Sequence, residues 1–416
     1  MDIRISPSVL KGTVDIPSSK SCAHRAIICA ALSSDSEPSV LSGISFSKDI
    51  EATLGAMEAF GAKWELTDKE SGTVTVYGIG SQRVSGKRTV DCNESGSTLR
   101  FVIPIAAALG YDTEFLGRGR LPQRPIDIYT RELGKNGITF NYNNTMPFDI
   151  TGQLRSGAYE IEGNVSSQFI TGLLFALPML EGDSVIKLTS HLESRPYVDI
   201  TIDTMKRFGI SVEENEDSYT VRGGQKYRSH SERVEGDYSQ AAFFCVANAI
   251  NSQVELKNLL PESVQGDRRI TDIVSETCSG GKIGSFRADC SDIPDLVPIL
   301  SVLAAYGSGE SVIYNAQRLR IKESDRLETT AAMLNALGGD VSVTDDGLII
   351  RPTNTLSGGT VDGCGDHRIV MAASIAALGC TGDVVITGAE AVEKSYPDFF
   401  KDYTKLGGKA NVIDLE

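Results

Sequence analysis

Hydrophobic and polar positions along the chain repeat one pattern: a polar start, a nearly unbroken apolar stretch, a short turn and an alternating strand. The apolar stretches are SKSCAHRAIICAAL, SGSTLRFVIPIAAAL, SSQFITGLLFALPML, DYSQAAFFCVANAI, DIPDLVPILSVLAAY and DHRIVMAASIAAL, and Ile170, Leu173, Leu174 and Leu177 show helical spacing. Strands are predicted next at TEFLG, SVIKLTS, QVELKNL, SVIYNA and VVITGA, with a looser match at EPSVLSGI. A second, more amphipathic helix follows each strand and stops at glycine before another strand, as in DIEATLGAMEAFGAKWEL, VDITIDTMKRFGISVEE, RRITDIVSETCSGGKIGSF and SDRLETTAAMLNALGGDVSV. The unit returns about every 70 residues, so about six copies fill the chain. Helices that are apolar all round belong inside, and helices with one polar face lie nearer solvent.

Polar residues gather where these helices begin. The first helices open with Lys20, Ser21 and Arg25; with Ser95, Gly96, Ser97 and Arg100; with Ser166, Ser167 and Gln168; with Asp237; with Asp295; and with Asp366, His367 and Arg368. Loops before the second helices carry Arg124; Ser194, Arg195 and Tyr197; Arg268 and Arg269; Lys322, Glu323 and Arg326; and Lys394. Serine and aspartate are ordinary helix caps. Lys and Arg are not, because a cation in a first turn opposes the helix dipole by up to about 1 kcal/mol. Lys20, Arg25, Arg100, Arg124, Arg326 and Arg368 all stand there, which predicts an anion, a phosphate or carboxylate, to offset them. Asp295 and Glu323 read either as caps or as a general base beside the anion cluster.

Composition narrows the function class. The 416 residues carry a formal charge of −15, which argues against nonspecific binding to nucleic acid or anionic membrane. The longest apolar stretch, from Phe169 to Leu180, is too short to span a bilayer, and the N-terminus lacks a signal-like core, so a soluble, cytoplasmic protein is expected. Eight cysteines without a CxxC pair, and four histidines, predict reduced thiols and no metal centre. Cys22 and Cys364 read as packing thiols, and His24 as structural. No GxGxxG follows a strand, GSQRVSGKRT has the wrong spacing for a nucleotide phosphate loop, and no nucleophile elbow is present.

In order along the chain, SKSCAHRA, SGSTLR, QRPID, SSQF, SRPY, IPD, KESDRL, DHR and EKSYPDFF resemble the motifs of the 5-enolpyruvylshikimate-3-phosphate synthases. One such motif is a weak signal; the ordered series is specific. The resemblance implies a two-lobed, inside-out α/β barrel of six βαβαββ repeats, three per lobe. It places one lobe over residues 15–233 and the other over 1–14 with 234–416, with crossings near 12–15 and 234–236. It further implies that Lys20, Ser21, Arg25, Ser166, Ser167, Gln168, Ser194, Tyr197, Asp295 and Lys322 bind shikimate-3-phosphate. Lys20, Gly96, Ser97, Arg124, Gln168, Arg326, His367, Arg368 and Lys394 would bind phosphoenolpyruvate, with lobe closure completing the site.

The implied chemistry is addition followed by elimination, with no cofactor, no metal and no covalent enzyme intermediate. Asp295 would take the proton of the attacking 5-hydroxyl, while Lys20 and Glu323 would serve carbon C3 of phosphoenolpyruvate. A monomer is expected. The chain departs from the family pattern at Glu94-Ser95-Gly96-Ser97, where many members have N-A-G-T, and at Arg318, where an Asn is common. Two rivals remain: the sister transferase acting on UDP-N-acetylglucosamine, and a noncatalytic module that binds phosphorylated metabolites. The first usually has Asn after the first lysine and a cysteine before RP, where this chain has Ser21 and GRGRLPQRP.

Overall fold

The computed structural model describes residues 1–80, 84–353 and 355–413. Residues 81–83 of the GSQRVSGKRT stretch lie outside them. The chain divides into two compact units, Ser18–Glu235 and Met1–Pro17 with Gly236 onward. The first break falls at Pro17 rather than within 12–15, because the strand Lys11–Asp15 stays paired along its whole length with Gln253–Lys257.

The unit Ser18–Glu235 holds helices α1 (Lys20–Ala31), α2 (Lys48–Ala59), α3 (Gly96–Leu109), α4 (Asp127–Lys135), α5 (Ser167–Ala176) and α6 (Arg195–Arg207). Its three four-stranded sheets share one topology. In the middle repeat Arg88–Asp91 runs parallel to Thr113–Leu116 across α3, and Thr113–Leu116 pairs antiparallel with Phe148–Gly152, which pairs in turn with Ile138–Asn141. In the first repeat, the leading strand comes from the far end of the unit: Glu232–Arg233 lies parallel to Ser39–Ser42.

The other unit holds α7 (Tyr238–Ile250), α8 (Arg269–Thr277), α9 (Val297–Ala305), α10 (Arg326–Ala336), α11 (His367–Ala376) and α12 (Phe399–Lys405). Its last sheet is completed by the N-terminal strand Asp2–Ser6, between Val384–Thr387 and Lys409–Ile413. The repeat containing α8 is abbreviated. No glycine stops α8; Gly280 and Gly281 instead turn a short hairpin, Cys278–Ser279 against Lys282–Ile283. The other second helices meet a glycine of positive φ as expected, such as Gly209 after α6 and Gly338 after α10.

Each unit buries its own core. Every residue of α9 and of α11 is buried, which is why their sequences show no polar face. Leu173, Leu174, Ile299 and Leu300 are fully enclosed, and each such side chain contributes about 1.5–3 kcal/mol of burial. Two local features draw α3 and α5 together. Pro104 inside α3 removes the donor that would have bonded the Arg100 carbonyl, and the Tyr129 hydroxyl donates to that oxygen at 2.7 Å instead. Opposite it, Gly172 of α5 has room for no side chain, since a Cβ would stand 2.2 Å from the same oxygen.

Candidate active site

In the unit Ser18–Glu235 the cations sit on the first two turns of α1 and α3 and before α4. Ser19 caps α1, its hydroxyl accepting from the Cys22 amide, and Lys20 follows at the first helical position. The Lys20 ammonium lies 3.0 Å from the Asp49 carboxylate, which offsets part of its conflict with the dipole. Among the described residues Arg25 has no such partner. The residue is 2 % exposed, and its guanidinium donates to neutral oxygens: Thr201 Oγ1 at 2.8 Å, the Ser21 carbonyl at 2.7 Å and the Tyr197 carbonyl at 2.8 Å. It also lies over the Phe101 ring. Burial pulls its pKa down to about 10.

A second group forms where α3 and α5 begin. Arg100 donates to Gln168 Oε1 at 2.7 Å, and Gln168 Nε2 donates to Ser97 Oγ at 2.9 Å. Gly96 lets Arg124 in: a Cβ there would stand 2.5 Å from the Arg124 guanidinium. Ser95 caps α3 and Ser166 caps α5, with Ser167 buried at the next position. Ser194 takes the left-handed conformation, φ 56°, before Arg195 and Pro196, so it turns the chain into α6 without capping it.

In the other unit the charges are interlocked. Arg326, 1 % exposed at the start of α10, donates to Asp366 at 2.9 Å, Asp295 at 3.0 Å and Glu323 at 2.6 Å. Arg368 reaches the other Asp295 oxygen at 3.0 Å and Ser239 Oγ at 3.0 Å, and Lys322 lies 4.0 Å from Asp295. Desolvation pushes the Asp295 carboxyl up, but Arg368, Lys322 and Arg326 outweigh it and hold the group well below the usual carboxylate range. Glu323 is treated alike: burial raises it, and the Arg326 guanidinium, with Lys322, brings it down. Burial lowers the His367 pKa to about 3, aided by Arg368, so the ring is neutral. Lys394 is exposed and donates to the Gly365 carbonyl at 3.0 Å, in the loop that leads into α11.

Two expectations need correction. Asp295 and Glu323 are not helix caps: Asp325 caps α10, and both carboxylates turn to arginine. Nor do all the helix-start cations need an outside anion. Arg326 and Arg368 are met by carboxylates of the same unit, and Lys20 by Asp49; among the described residues, Arg25 and Arg124 have no carboxylate partner. Arg269 falls outside both groups, bonded to Glu276 on its own exposed helix.

The sequence placed Asp366 only at the start of its helix, where it does cap α11, and gave no role to Asp49, Ser239 or Asp267. Asp366 stood inside the quoted DHR motif, yet nothing in the sequence showed that it would meet Arg326, some 40 positions away. Asp267 is buried without a hydrogen bond at Oδ1, and burial, then Asp295, keeps its pKa well above the usual value. Of the two thiols read as packing groups, Cys22 is buried, whereas Cys364 is exposed in the loop before α11, where partial desolvation and Asp362 raise its thiol. No cluster of metal-ligating side chains occurs among the described residues, and no helix is long and apolar enough to cross a membrane.

Repeated α/β units whose helix starts collect cations, hydroxyls and a low-pKa carboxylate define the class first: an enzyme of anionic small molecules. The family model described as EPSP synthase (3-phosphoshikimate 1-carboxyvinyltransferase) matches residues 5–403. The chain is 46 % identical to the 3-phosphoshikimate 1-carboxyvinyltransferase of Clostridium novyi over 98 % of both chains, and 46 % identical to that of Clostridium acetobutylicum over 99 % of both. A solved EPSP synthase from Acinetobacter baumannii superposes with a TM-score of 0.85 at 25 % identity, covering 99 % of this chain and all of that one. The chain belongs to the EPSP synthase family, and its fold is that family's two-lobed α/β fold.

Proposed function

We propose that the chain transfers the enolpyruvyl group of phosphoenolpyruvate to the 5-hydroxyl of shikimate-3-phosphate and releases phosphate, as a cytoplasmic monomer that needs no cofactor. The observation that carries this reading is Asp295, a carboxylate gripped at 3.0 Å by both Arg326 and Arg368 in a chain whose relatives are 3-phosphoshikimate 1-carboxyvinyltransferases. Lys20, Ser21, Arg25, Ser166, Ser167, Gln168, Ser194, Tyr197, Asp295 and Lys322 are assigned to shikimate-3-phosphate. Lys20, Gly96, Ser97, Arg124, Gln168, Arg326, His367, Arg368 and Lys394 are assigned to phosphoenolpyruvate. Arg25 and Arg124 suit these roles because an anionic substrate gives each the counter-charge that the described residues do not.

In the addition step Asp295 takes the proton of the 5-hydroxyl as its oxygen bonds to C2, and C3 receives a proton. In the elimination step C3 loses a proton and the bond from C2 to the phosphate oxygen breaks. Lys20 and Glu323 serve C3. A base held as low as Asp295 is weak while the cations face it alone. When substrate phosphate and carboxylate groups share Arg326, Arg368 and Lys322, that grip weakens and Asp295 becomes more basic. The base is thereby strengthened by the substrates it serves, and preorganised charge stabilises the developing cationic centre and phosphates.

Mixing the purified protein with both substrates and following phosphate release tests the reading. Release that depends on shikimate-3-phosphate supports it. Turnover on UDP-N-acetylglucosamine instead, or binding of both substrates without turnover, would replace it with the sister transferase or a noncatalytic module.

A further inference from the structure

Behind the starts of α1 and α3 runs a buried chain of hydrogen bonds that none of the assigned substrate contacts uses. His24 Nδ1 lies 2.7 Å from Thr53 Oγ1, Thr53 Oγ1 lies 2.7 Å from Thr98 Oγ1, and Thr98 Oγ1 lies 2.8 Å from Ser95 Oγ. His24 and Ser95 are each 1 % exposed, and Thr53 and Thr98 are fully buried. The chain touches three helices, since His24 is on α1, Thr53 on α2, and Thr98 and its cap Ser95 on α3. Thr98 Oγ1 also lies 3.4 Å from the carbonyl of Asp49, the residue whose carboxylate holds Lys20.

The protons in this chain have a direction. Thr98 gives its single hydroxyl proton to Ser95 or to the Asp49 carbonyl, so Thr53 must donate to Thr98, and His24 Nδ1 must donate to Thr53. That tautomer leaves His24 Nε2 as a bare acceptor, and this atom is buried without a partner. The reverse order would leave a buried N–H without an acceptor, which is the rarer and costlier defect. Burial lowers the His24 pKa to about 3, so the ring stays neutral and the direction is fixed at neutral pH.

We propose that His24, Thr53 and Thr98 are positioning residues for phosphoenolpyruvate: through Ser95 they set the start of α3, with Gly96 and Ser97, against Asp49 and Lys20. The inference rests on the assignment of Gly96, Ser97 and Arg124 to phosphoenolpyruvate. None of the three residues touches substrate; they fix the place of the atoms that do.

Thr53→Val keeps the side-chain volume and removes the link, whereas Thr53→Ser keeps the link. Steady-state kinetics with each substrate varied should show Thr53→Val raising KM for phosphoenolpyruvate by about tenfold, with KM for shikimate-3-phosphate within about twofold of the parent. Thr53→Ser should stay within about twofold for both. Equal effects of Val and Ser, or a lowered melting temperature with both KM values unchanged, would overturn the proposal. If Thr53→Val does not fold, Thr53→Ala carries the same comparison. Arg124→Ala separates the two levels of argument. An unchanged phosphoenolpyruvate KM in that variant would defeat the substrate assignment itself, whereas a raised KM there beside an unchanged one in Thr53→Val would defeat the positioning role alone.

Discussion

Replacing Asp366 by Asn would remove one charge and almost no volume from the most enclosed ion cluster of the protein. The carboxylate is fully buried. It accepts from Arg326 Nε at 2.9 Å and a second Arg326 nitrogen at 3.3 Å, from Ser324 Oγ at 3.0 Å, and from the Arg368 amide at 3.0 Å as the cap of α11. Asn can keep the cap, but its NH2 group would then face the Arg326 Nε–H, donor against donor. Breaking a buried ion pair costs about 3–5 kcal/mol when the remaining charge is left alone. Arg326 retains Glu323 and Asp295, so the lower end, about 3 kcal/mol, is expected. Asp366→Ala also loses the cap and should cost about 1 kcal/mol more. Urea unfolding followed by circular dichroism measures the difference as a shift in midpoint at constant slope. A loss below about 1 kcal/mol for Asn would mean that the bonds of Asp366 to Arg326 do not hold the cluster together, and the account of why Arg326 tolerates burial would fail.

Other consequences follow from the same charges. Asp295→Asn should lower kcat by about 10²–10⁴-fold while both substrates still bind, measured by phosphate release and by equilibrium titration; near-parental turnover would exclude Asp295 as the base. Arg25→Met should leave the unfolding midpoint unchanged or higher, because a buried guanidinium without a carboxylate is costly to keep. The same variant should weaken shikimate-3-phosphate by about tenfold or more, and unweakened binding would remove Arg25 from the site. His367 has a folded pKa of about 3 against 6.5 for the free side chain, so as pH falls the unfolded chain takes the proton first. Its stabilisation is fully present above pH 6.5 and is lost progressively toward pH 3. Asp267 contributes with the opposite sign in that range, so the comparison must be between parent and His367→Asn: the parent should lose up to about 1.4 kcal/mol per pH unit more than the variant between pH 6 and about 4.5. Identical slopes would mean that His367 is not buried neutral.

The parts of the molecule legible in sequence were those with a local cause. The inner helices betrayed themselves by having no polar face, as α9 does, and most second helices by a glycine of positive φ at their end. Where one repeat borrows a strand from a distant segment, the sequence carries no sign: Asp2–Ser6 completes the last sheet and Glu232–Arg233 leads the first, and both pairings are set by tertiary packing. The abbreviated α8 repeat failed for a related reason, since Gly280 and Gly281 suit a hairpin turn as well as a helix stop. The cations were visible because their position defied the helix dipole. Their counter-charges were not, because Arg326 finds Asp295 and Asp366 over 31 and 40 positions, and a helix start shows only its own neighbours: Asp366 reads as a cap, which it also is, and Asp295 as a cap or a base. Arg25, the sixth residue of α1, and Arg124, before α4, lie outside the first turns, and what they keep of the argument is a charge that no carboxylate meets among the described residues.

Enolpyruvyl transfer to shikimate-3-phosphate can be read from proton and phosphorus NMR of a single reaction mixture with both substrates. Vinyl protons of a new enol ether on the shikimate 5-oxygen should appear in equal amount with inorganic phosphate, and should be lost in Asp295→Asn. Phosphate released without that enol ether, or an enol ether formed only when UDP-N-acetylglucosamine is supplied, would contradict it.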